Sequence, residues 1–536
     1  MSRREVARTA AAPGLTGPFW AVMAALVLGV ELVAALTGGD ASWDFRNYHL
    51  YNPFALLEKP FGVDIAPAHM QTWFPPTMDL IYYGFFRSIS WTPLLNAVIA
   101  LPQAVAVGLA FVLTCRVLQP RTGLEVATLG VFSAIGATGA AGGMTIATAS
   151  SEMLPAALIM FALLLLVPSE PVRSQADPRP TPSQTRLFWA GTLFGCACGL
   201  KLTMSYATIA MALALIVMPR RRLFEILTRP ALFGVGVVLG TGALSAYWWV
   251  YQWQHFSNPL FPAFNDIFRS PHAAFERYVD QAFMPHSLGE ALSVPWVWTL
   301  RLSRAASESR LRDPRFALAL IAALVWLSAS GLQRPRWRPW PATLLTVWFV
   351  LGFVLWRLEF SVYRYLSVLE LLAGTMLALV ALPLARRLAQ PKLLAAGAVA
   401  LLAACLVLTV NPQVNRSRSG TPPLAVDLGP LSPDSMVLLL DNEPMSYLAV
   451  FADPRIRFIG TNDFFMTLDS SNPMQRDVEK AIDGHRGPLW GLDSPAEQGD
   501  RSEQTLRRYD LVRGPCRAVV SNVSPLPIRL CQLQRA

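Results

Sequence analysis

The sequence predicts an α-helical polytopic membrane protein of about 11 transmembrane helices with a small α/β domain at its C-terminus, on three observations. Hydrophobic residues make up 53% of the 536 and charged residues only 15%, the balance of a chain whose main solvent is lipid. Apolar runs near the roughly 20 residues that span a bilayer recur along the first three quarters of the chain. Beyond Pro412 the pattern changes to short apolar runs separated by acidic and polar residues.

The predicted spans are 19–37, 94–115, 121–139, 151–168, 187–201, 203–218, 231–251, 315–331, 340–356, 361–383 and 393–410. The first is too long and apolar for a typical signal peptide and reads as an uncleaved anchor. With a cytoplasmic N-terminus, the clusters at Arg116/Arg121, Arg173/Arg179/Arg186, Arg220 to Arg229, Arg334/Arg336/Arg338 and Arg386/Arg387/Lys392 all fall on the cytoplasmic side. That phase fixes the organisation. Residues 1–412 form the membrane domain, with a first external loop at 38–93 and a large one at 252–314. Residues 413–430, containing "NPQVNRSRSGTPP", form a linker, and 431–536 an exported α/β domain in which "MVLLLD" and "RIRFIGT" read as strands and "EPMSYLAVFA" as a helix. The segment 77–90 is too short for a span and reads as an interfacial helix.

The net charge of +10 does not point to nucleic acid. From Leu431 onward there are 14 acidic and 12 basic residues, so the surplus sits in the short connections of the membrane part. Of six cysteines, Cys115, Cys196, Cys198 and Cys405 lie in spans and read as small apolar residues. Cys516 and Cys531 share the exported tail, where a disulfide can form.

Chemistry concentrates in the first loop. "WDFRNYHLYNPFALLEKPFGVDIAPAHMQTWFPP" follows the first span with two aspartates, an arginine, two histidines and eight aromatic residues. An aromatic belt accounts for the rings, with Asp44 and Arg46 merely solvated. Alternatively, the three-to-four spacing of Tyr48, Tyr51 and Phe54 makes an amphipathic helix lying in the membrane plane, with Asp44, Arg46 and His49 at its head around a cleft open to lipid and water.

This block, with "NPLFPAFNDIFRSP" and "VYRYLSVLELL" further on, resembles the GT-C superfamily of integral-membrane glycosyltransferases, and within it bacterial proteins grouped near glycosyltransferase family 87. The resemblance covers residues 15 to 410. It implies a sugar donor linked to polyprenyl phosphate, a membrane lipid partner, a glycan, lipid or protein acceptor not named by the sequence, and a site facing the periplasm of a bacterial inner membrane. Asp44 would be the general base and Glu152, in "TASSEMLP", a second acidic catalytic residue. The other reading of Glu152 is a helix N-terminal carboxylate, capped by Ser150 or Ser151. No paired carboxylates stand in the first loop, so no metal ligands are assigned; a divalent cation, Mg or Mn, is the one cofactor considered.

Cations for a lipid phosphate are offered by Lys201, which otherwise snorkels, and by Arg364 beside Tyr365, which otherwise pairs with Glu359 or Glu370. Arg46 and His49 complete the set at the first loop. The loop 257–278 supplies Asn258, Asn265, Asp266 and Arg269 among aromatics, a mixture suited to sugar hydroxyls, or to the turns of a re-entrant loop. Arg301, Arg304, Arg310 and Arg312 would contact an anionic carrier, or mark an error in the topology. Two other functions compete: a surface-polysaccharide polymerase or ligase using a lipid-pyrophosphate donor, and a transporter or lipid flippase, which would carry ionisable residues mid-membrane and internal repeats.

Overall fold

A computed structural model describes residues 15–59, 62–150, 152–167, 182–218, 225–278, 281–332, 340–418, 422–468, 472–496 and 500–536. Every predicted apolar run coincides with a helix: Thr16–Leu36, Thr92–Leu118, Gly123–Ala137, Met153–Leu166, Gln184–Leu200, Ser205–Val217, Glu225–Phe256, Arg315–Leu332, Trp340–Glu359, Ser367–Arg387 and Pro391–Leu408. Six of the described helices are long and apolar enough to cross a membrane, and four further apolar helices are shorter. The chain is a multi-pass helical membrane protein with a C-terminal sheet domain.

Helix packing here cannot draw on burial from water, so backbones approach where side chains are small. At Gly240, a Cβ would stand 2.1 Å from the Thr192 carbonyl oxygen of the neighbouring Gln184–Leu200 helix. At the end of the bundle away from the C-terminal domain, Arg386 donates to Glu125 at 2.9 and 2.7 Å and to the Gln119 carbonyl. Arg116 donates to the Leu164 carbonyl at the same end. Arg173, Arg179, Arg220, Arg334, Arg336 and Arg338 lie outside the described residues, as does Ser151.

The tail folds into one six-stranded sheet, β1 (Val426–Asp427), β2 (Met436–Leu439), β3 (Arg457–Gly460), β4 (Leu489–Asp493), β5 (Leu511–Ser521) and β6 (Ile528–Arg535), in the order β1-β5-β6-β4-β2-β3. β2 is parallel to β3 and β4, and the remaining pairs are antiparallel. "MVLLLD" is apolar throughout because β2 is buried on both faces. Val437 and Leu439 face the first loop, while Met436 and Leu438 share a core with Val478 and Ile482 of the Met474–Gly484 helix. "EPMSYLAVFA" forms a 3-10 helix, Ser446–Phe451. The sheet begins at Val426, inside the expected linker. Cys516 and Cys531 oppose each other on β5 and β6 and form a disulfide.

The first loop departs from expectation. Its aromatic face does not lie on lipid: Phe45, Tyr48, Tyr51 and Phe54 are buried in one core with Val437, Leu439, Tyr447 and Leu448. A protein partner covers the rings that would otherwise need the interface. The loop also adds to the sheet, as Ile65 pairs in parallel with Ile459 at the β3 edge. Asp64 binds there, accepting from the Phe458 amide at 2.8 Å, from Tyr51 Oη at 2.6 Å and from Lys59 Nζ at 2.6 and 2.8 Å. Thr77–Ser88 is a 12-residue helix, in keeping with an interfacial segment, and the large loop carries an unforeseen helix, Leu288–Leu300.

Candidate functional site

Because the membrane helices alternate in direction, Leu36, Met153, Leu200 and Ser367 come to the same, domain-side end. There the chain assembles a chain of charges. Asp44, at the head of the Phe45–His49 turn, accepts from Arg364 Nη1 at 2.7 Å. Arg364 Nε stands 3.8 Å from Glu152 Oε1, and Lys201 Nζ donates to that same oxygen at 2.7 Å and to the Ser150 carbonyl at 3.0 Å. Tyr365 lies under both cations, its ring centroid 5.4 Å from the Arg364 guanidinium and 5.8 Å from Lys201 Nζ. Four residues separated by up to 320 positions thus form a row alternating in sign, with formal charges that cancel.

Glu152 does occupy the N-cap position of the Met153–Leu166 helix, yet its side chain caps nothing. It is fully buried, and Oε2 has no hydrogen-bond partner among the described residues. A buried carboxylate oxygen left open beside two cations is an invitation to a ligand donor. Arg364 pairs with neither Glu359, which accepts from Ser205, nor Glu370. Lys201 does not snorkel into solvent; its side chain is 13% exposed and paired.

The turn presenting Arg364 is held from behind. Tyr363 Oη donates to Asp313 at 3.0 Å and Glu370 at 3.2 Å. Glu370 accepts the Ala141 and Gly142 amides, and Asp313 pairs with Arg315, itself bound to Ile135 O, Thr138 O and Thr409. Asp313, Arg315 and Glu370 are all buried. Gly139 admits this packing, since a Cβ there would sit 2.0 Å from Glu370 Cδ. No local pattern announces this network, because its partners are contributed by four separate segments.

Burial pushes the Asp44 carboxyl up, but Arg364, His49 and Lys201 together outweigh it and hold it below the ordinary carboxylate value. Next to it, His49 Nδ1 and Asp79 Oδ1 share a hydrogen bond of 2.7 Å. Burial raises the Asp79 pKa despite His49 and Lys201 nearby. Asp79 escaped the sequence reading because 77–90 reads only as a short interfacial helix.

The remaining predicted residues divide. Arg46 does not reach the charge row: it donates to the Ala41 carbonyl and to Glu443 of the C-terminal domain, both at 3.3 Å, and ties the loop to its roof. Asn258 and Asn265 are buried and their amides serve their own loop, Asn265 Nδ2 donating to the carbonyls of Ser270, Ala273 and Ala274. Asp266 and Arg269 are exposed. No hydrogen bond or ion pair among the described residues joins that loop to Asp44, Glu152, Lys201 or Arg364. The loop packs instead through Phe261 on Trp73. Arg301, Arg304 and Arg310 are exposed, and Arg312 is spent on the Leu408 carbonyl. A groove of about 280 Å³ between Tyr51, Trp73, Trp248, Tyr251, His272 and Asp477 lies apart from the charge row.

No protein-family model matches the chain, and no curated protein does. Among solved structures it is similar to the crystal structure of ArnT from Cupriavidus metallidurans bound to undecaprenyl phosphate, at 14% identity, with 96% of this chain and 98% of that one covered and a TM-score of 0.48. What the site can do is argued from its own geometry.

The row holds two cations and two carboxylates at the rim of a membrane bundle, under a folded domain. An incoming phosphate would compete for Arg364 and Lys201 with their present partners. Were Arg364 drawn to it, Asp44 would be left as a free carboxylate. Among the described residues no three His, Cys, Asp or Glu side chains gather so as to hold a metal ion, and Arg364 stands between the two carboxylates that would be the natural ligands.

Proposed function

We propose that the chain is a GT-C-type glycosyltransferase of a bacterial inner membrane, its site and C-terminal domain facing the periplasm. It moves a sugar from a polyprenyl-phosphate-linked donor to a periplasmic or lipid-linked acceptor. The observation that carries this reading is the Asp44–Arg364–Glu152–Lys201 row, in which a base is masked by the cation that a lipid phosphate would claim.

In this mechanism the donor phosphate recruits Arg364 and Lys201, with Glu152, 2.7 Å from Lys201 Nζ, holding the lysine in place. Asp44, unmasked, takes the proton of the acceptor hydroxyl as that oxygen attacks the anomeric carbon. The bond from that carbon to the phosphate oxygen breaks, and the electron pair leaves with a phosphate stabilised by two fixed cations in a poorly hydrated site. No general acid is required of a leaving group already stable as an anion.

The experiment is transfer of radiolabelled sugar from a panel of polyprenyl-phosphate sugars, in membranes carrying wild type or Asp44→Asn at matched protein levels. Wild type is expected to transfer, and the variant to lose about 10²–10⁴-fold. Transfer by Asp44→Asn at the wild-type rate would refute the role of Asp44. A polymerase working on a lipid pyrophosphate would draw on Arg301, Arg304 and Arg310, but these are exposed and, among the described residues, make no hydrogen bond or ion pair with the row. A transporter draws none, since the buried charges gather at helix ends.

A further inference from the structure

We propose that the Leu288–Leu300 helix and the arginine-bearing hairpin after it dock on the bilayer. The helix is sunk by its apolar stripe into the headgroup layer on the domain side, and the arginines bind the phosphates of anionic phospholipids. The inference goes beyond the glycosyl-transfer reading and does not rest on it. It accounts for Arg301, Arg304 and Arg310, exposed residues at the domain-side end of the bundle that the charge row does not use.

Leu288, Leu292, Trp296 and Leu300 recur at every fourth position of the helix and are 75, 67, 47 and 79% exposed. Residues four apart share a helix face, so these make one stripe, which no described part of the chain covers. Val294 and Trp298, on another face, are buried. At 13 residues the helix is about 20 Å long, too short to cross roughly 30 Å of hydrocarbon. Such a stripe turned to water would be a liability; laid on a membrane it is an anchor.

The rest of the fold sets its height. The Trp298 ring packs on Phe316, in the first turn of the Arg315–Leu332 helix, and on Trp356, in the last turn of Trp340–Glu359, with centroids 5.9 and 5.8 Å away. Those turns are the domain-side ends of two membrane helices, the level at which headgroups lie. Val354 and Leu358 of the second helix are themselves exposed, side chains for which lipid is the surrounding medium.

Beyond the helix the chain doubles back. Ser303 and Leu311 exchange both backbone hydrogen bonds, at 2.9 and 2.8 Å, which sets Arg304 and Arg310 at the base of one loop on adjoining strands. Like charges facing each other across a strand pair repel. None of the three guanidinium groups has a hydrogen-bond or ion-pair partner among the described residues, and the only carboxylate from 301 to 310 is Glu308. A phosphate taken between Arg304 and Arg310 turns that repulsion into a clamp. The bilayer surface offers phosphates at this height, and anionic phospholipids leave their charge uncompensated. The hairpin also backs the charge row, since the Ala306 carbonyl accepts the Tyr363 amide at 2.7 Å. Lipid that holds the hairpin thereby fixes the height of the turn carrying Arg364.

The test uses the full chain, its free cysteines replaced by alanine, in nanodiscs of phosphatidylcholine alone or mixed with phosphatidylglycerol. A nitroxide on Leu292→Cys is expected to be reached by dissolved oxygen and shielded from a water-soluble nickel chelate, the reverse of one on Lys480→Cys, exposed on the C-terminal domain. Both positions are exposed, so the labels leave the fold intact. Phosphatidylglycerol should slow hydrogen exchange at the Ser303 and Leu311 amides by about fivefold for each arginine engaged. Arg304→Gln with Arg310→Gln should abolish that slowing, and Arg387→Gln, at the opposite end of the bundle, should leave it. A nitroxide at position 292 as open to the chelate as the one at 480 overturns the docking. So does one shielded from both reagents, which marks a protein partner instead. Slowing that persists in the arginine double variant, or that is absent from the wild type, overturns the lipid clamp.

Discussion

Replacing Asp64 by alanine should loosen the C-terminal domain from the membrane part by an amount that the contacts around it set. Lys59 Nζ has two protein partners, the Asp64 carboxylate and the Ile456 carbonyl at 2.8 Å, and its side chain is 3% exposed. Asp64→Ala leaves that ammonium buried with one neutral acceptor, a change that costs about 3–5 kcal/mol. At about 1.4 kcal/mol per decade, the opening equilibrium of this seam should rise by roughly two to four orders of magnitude. Hydrogen exchange reads it directly, at the amides of Phe458 and Gly460, which bond to Asp64 and to the Ile65 carbonyl. The sign with pH follows. Burial already lowers the Lys59 pKa, and without Asp64 the folded state disfavours its charge further. The unfolded seam then binds more protons, so the defect should shrink as pH rises toward the ordinary lysine range. Lys59→Met with Asp64→Leu removes both charges and should cost much less than Asp64→Ala. Protection in Asp64→Ala close to wild type, or a double variant as loose as the single one, would refute the argument.

Other outcomes follow from the same physics. Lys201→Met strands the fully buried Glu152 and should lower thermal stability in detergent, by about 3–5 kcal/mol, while abolishing the stabilisation that polyprenyl phosphate gives the wild type in the same melt. Asp493, 1% exposed, is held below the usual carboxylate range because Arg529, at 2.7 and 2.9 Å, and Arg513 outweigh the upward push of burial. Its contribution is therefore full above the ordinary value of about 3.9 and is lost as pH falls through the lower native one, so Asp493→Asn should flatten the acid limb of domain unfolding. Cys516→Ala with Cys531→Ala opens a link across 15 positions and should cost the domain about 3 kcal/mol in denaturant unfolding, against a reduced wild type that loses the same.

The helices were legible because lipid imposes a length and a composition on each segment independently, so that all eleven apolar runs could be read one at a time. The strand at Met436 was legible for the related reason that an unbroken short apolar run suits a strand covered on both faces. Asp44, Glu152, Lys201 and Arg364 stood out locally as charges beside apolar phase, and the fold brings them together. What the sequence could not disclose was who answers whom. Arg364 meets Asp44 across 320 positions, and Arg46 meets Glu443 across 397, with no periodicity linking either pair. The asparagines of the 257–278 loop look alike whether they grip a sugar or close their own turns, and the carbonyls around Asn265 lie on the second side. Asp79 was hidden by the apolar character of its neighbours.

The alternating charge row has a kinetic corollary. While Arg364 covers Asp44, an acceptor that arrives first meets a carboxylate already engaged, and water that wanders in meets the same. On the glycosyl-transfer reading proposed above, reactivity is conferred by the donor on the machinery that will consume it, so turnover should follow a compulsory order, donor before acceptor. Initial-rate patterns would show the acceptor unable to bind productively at zero donor.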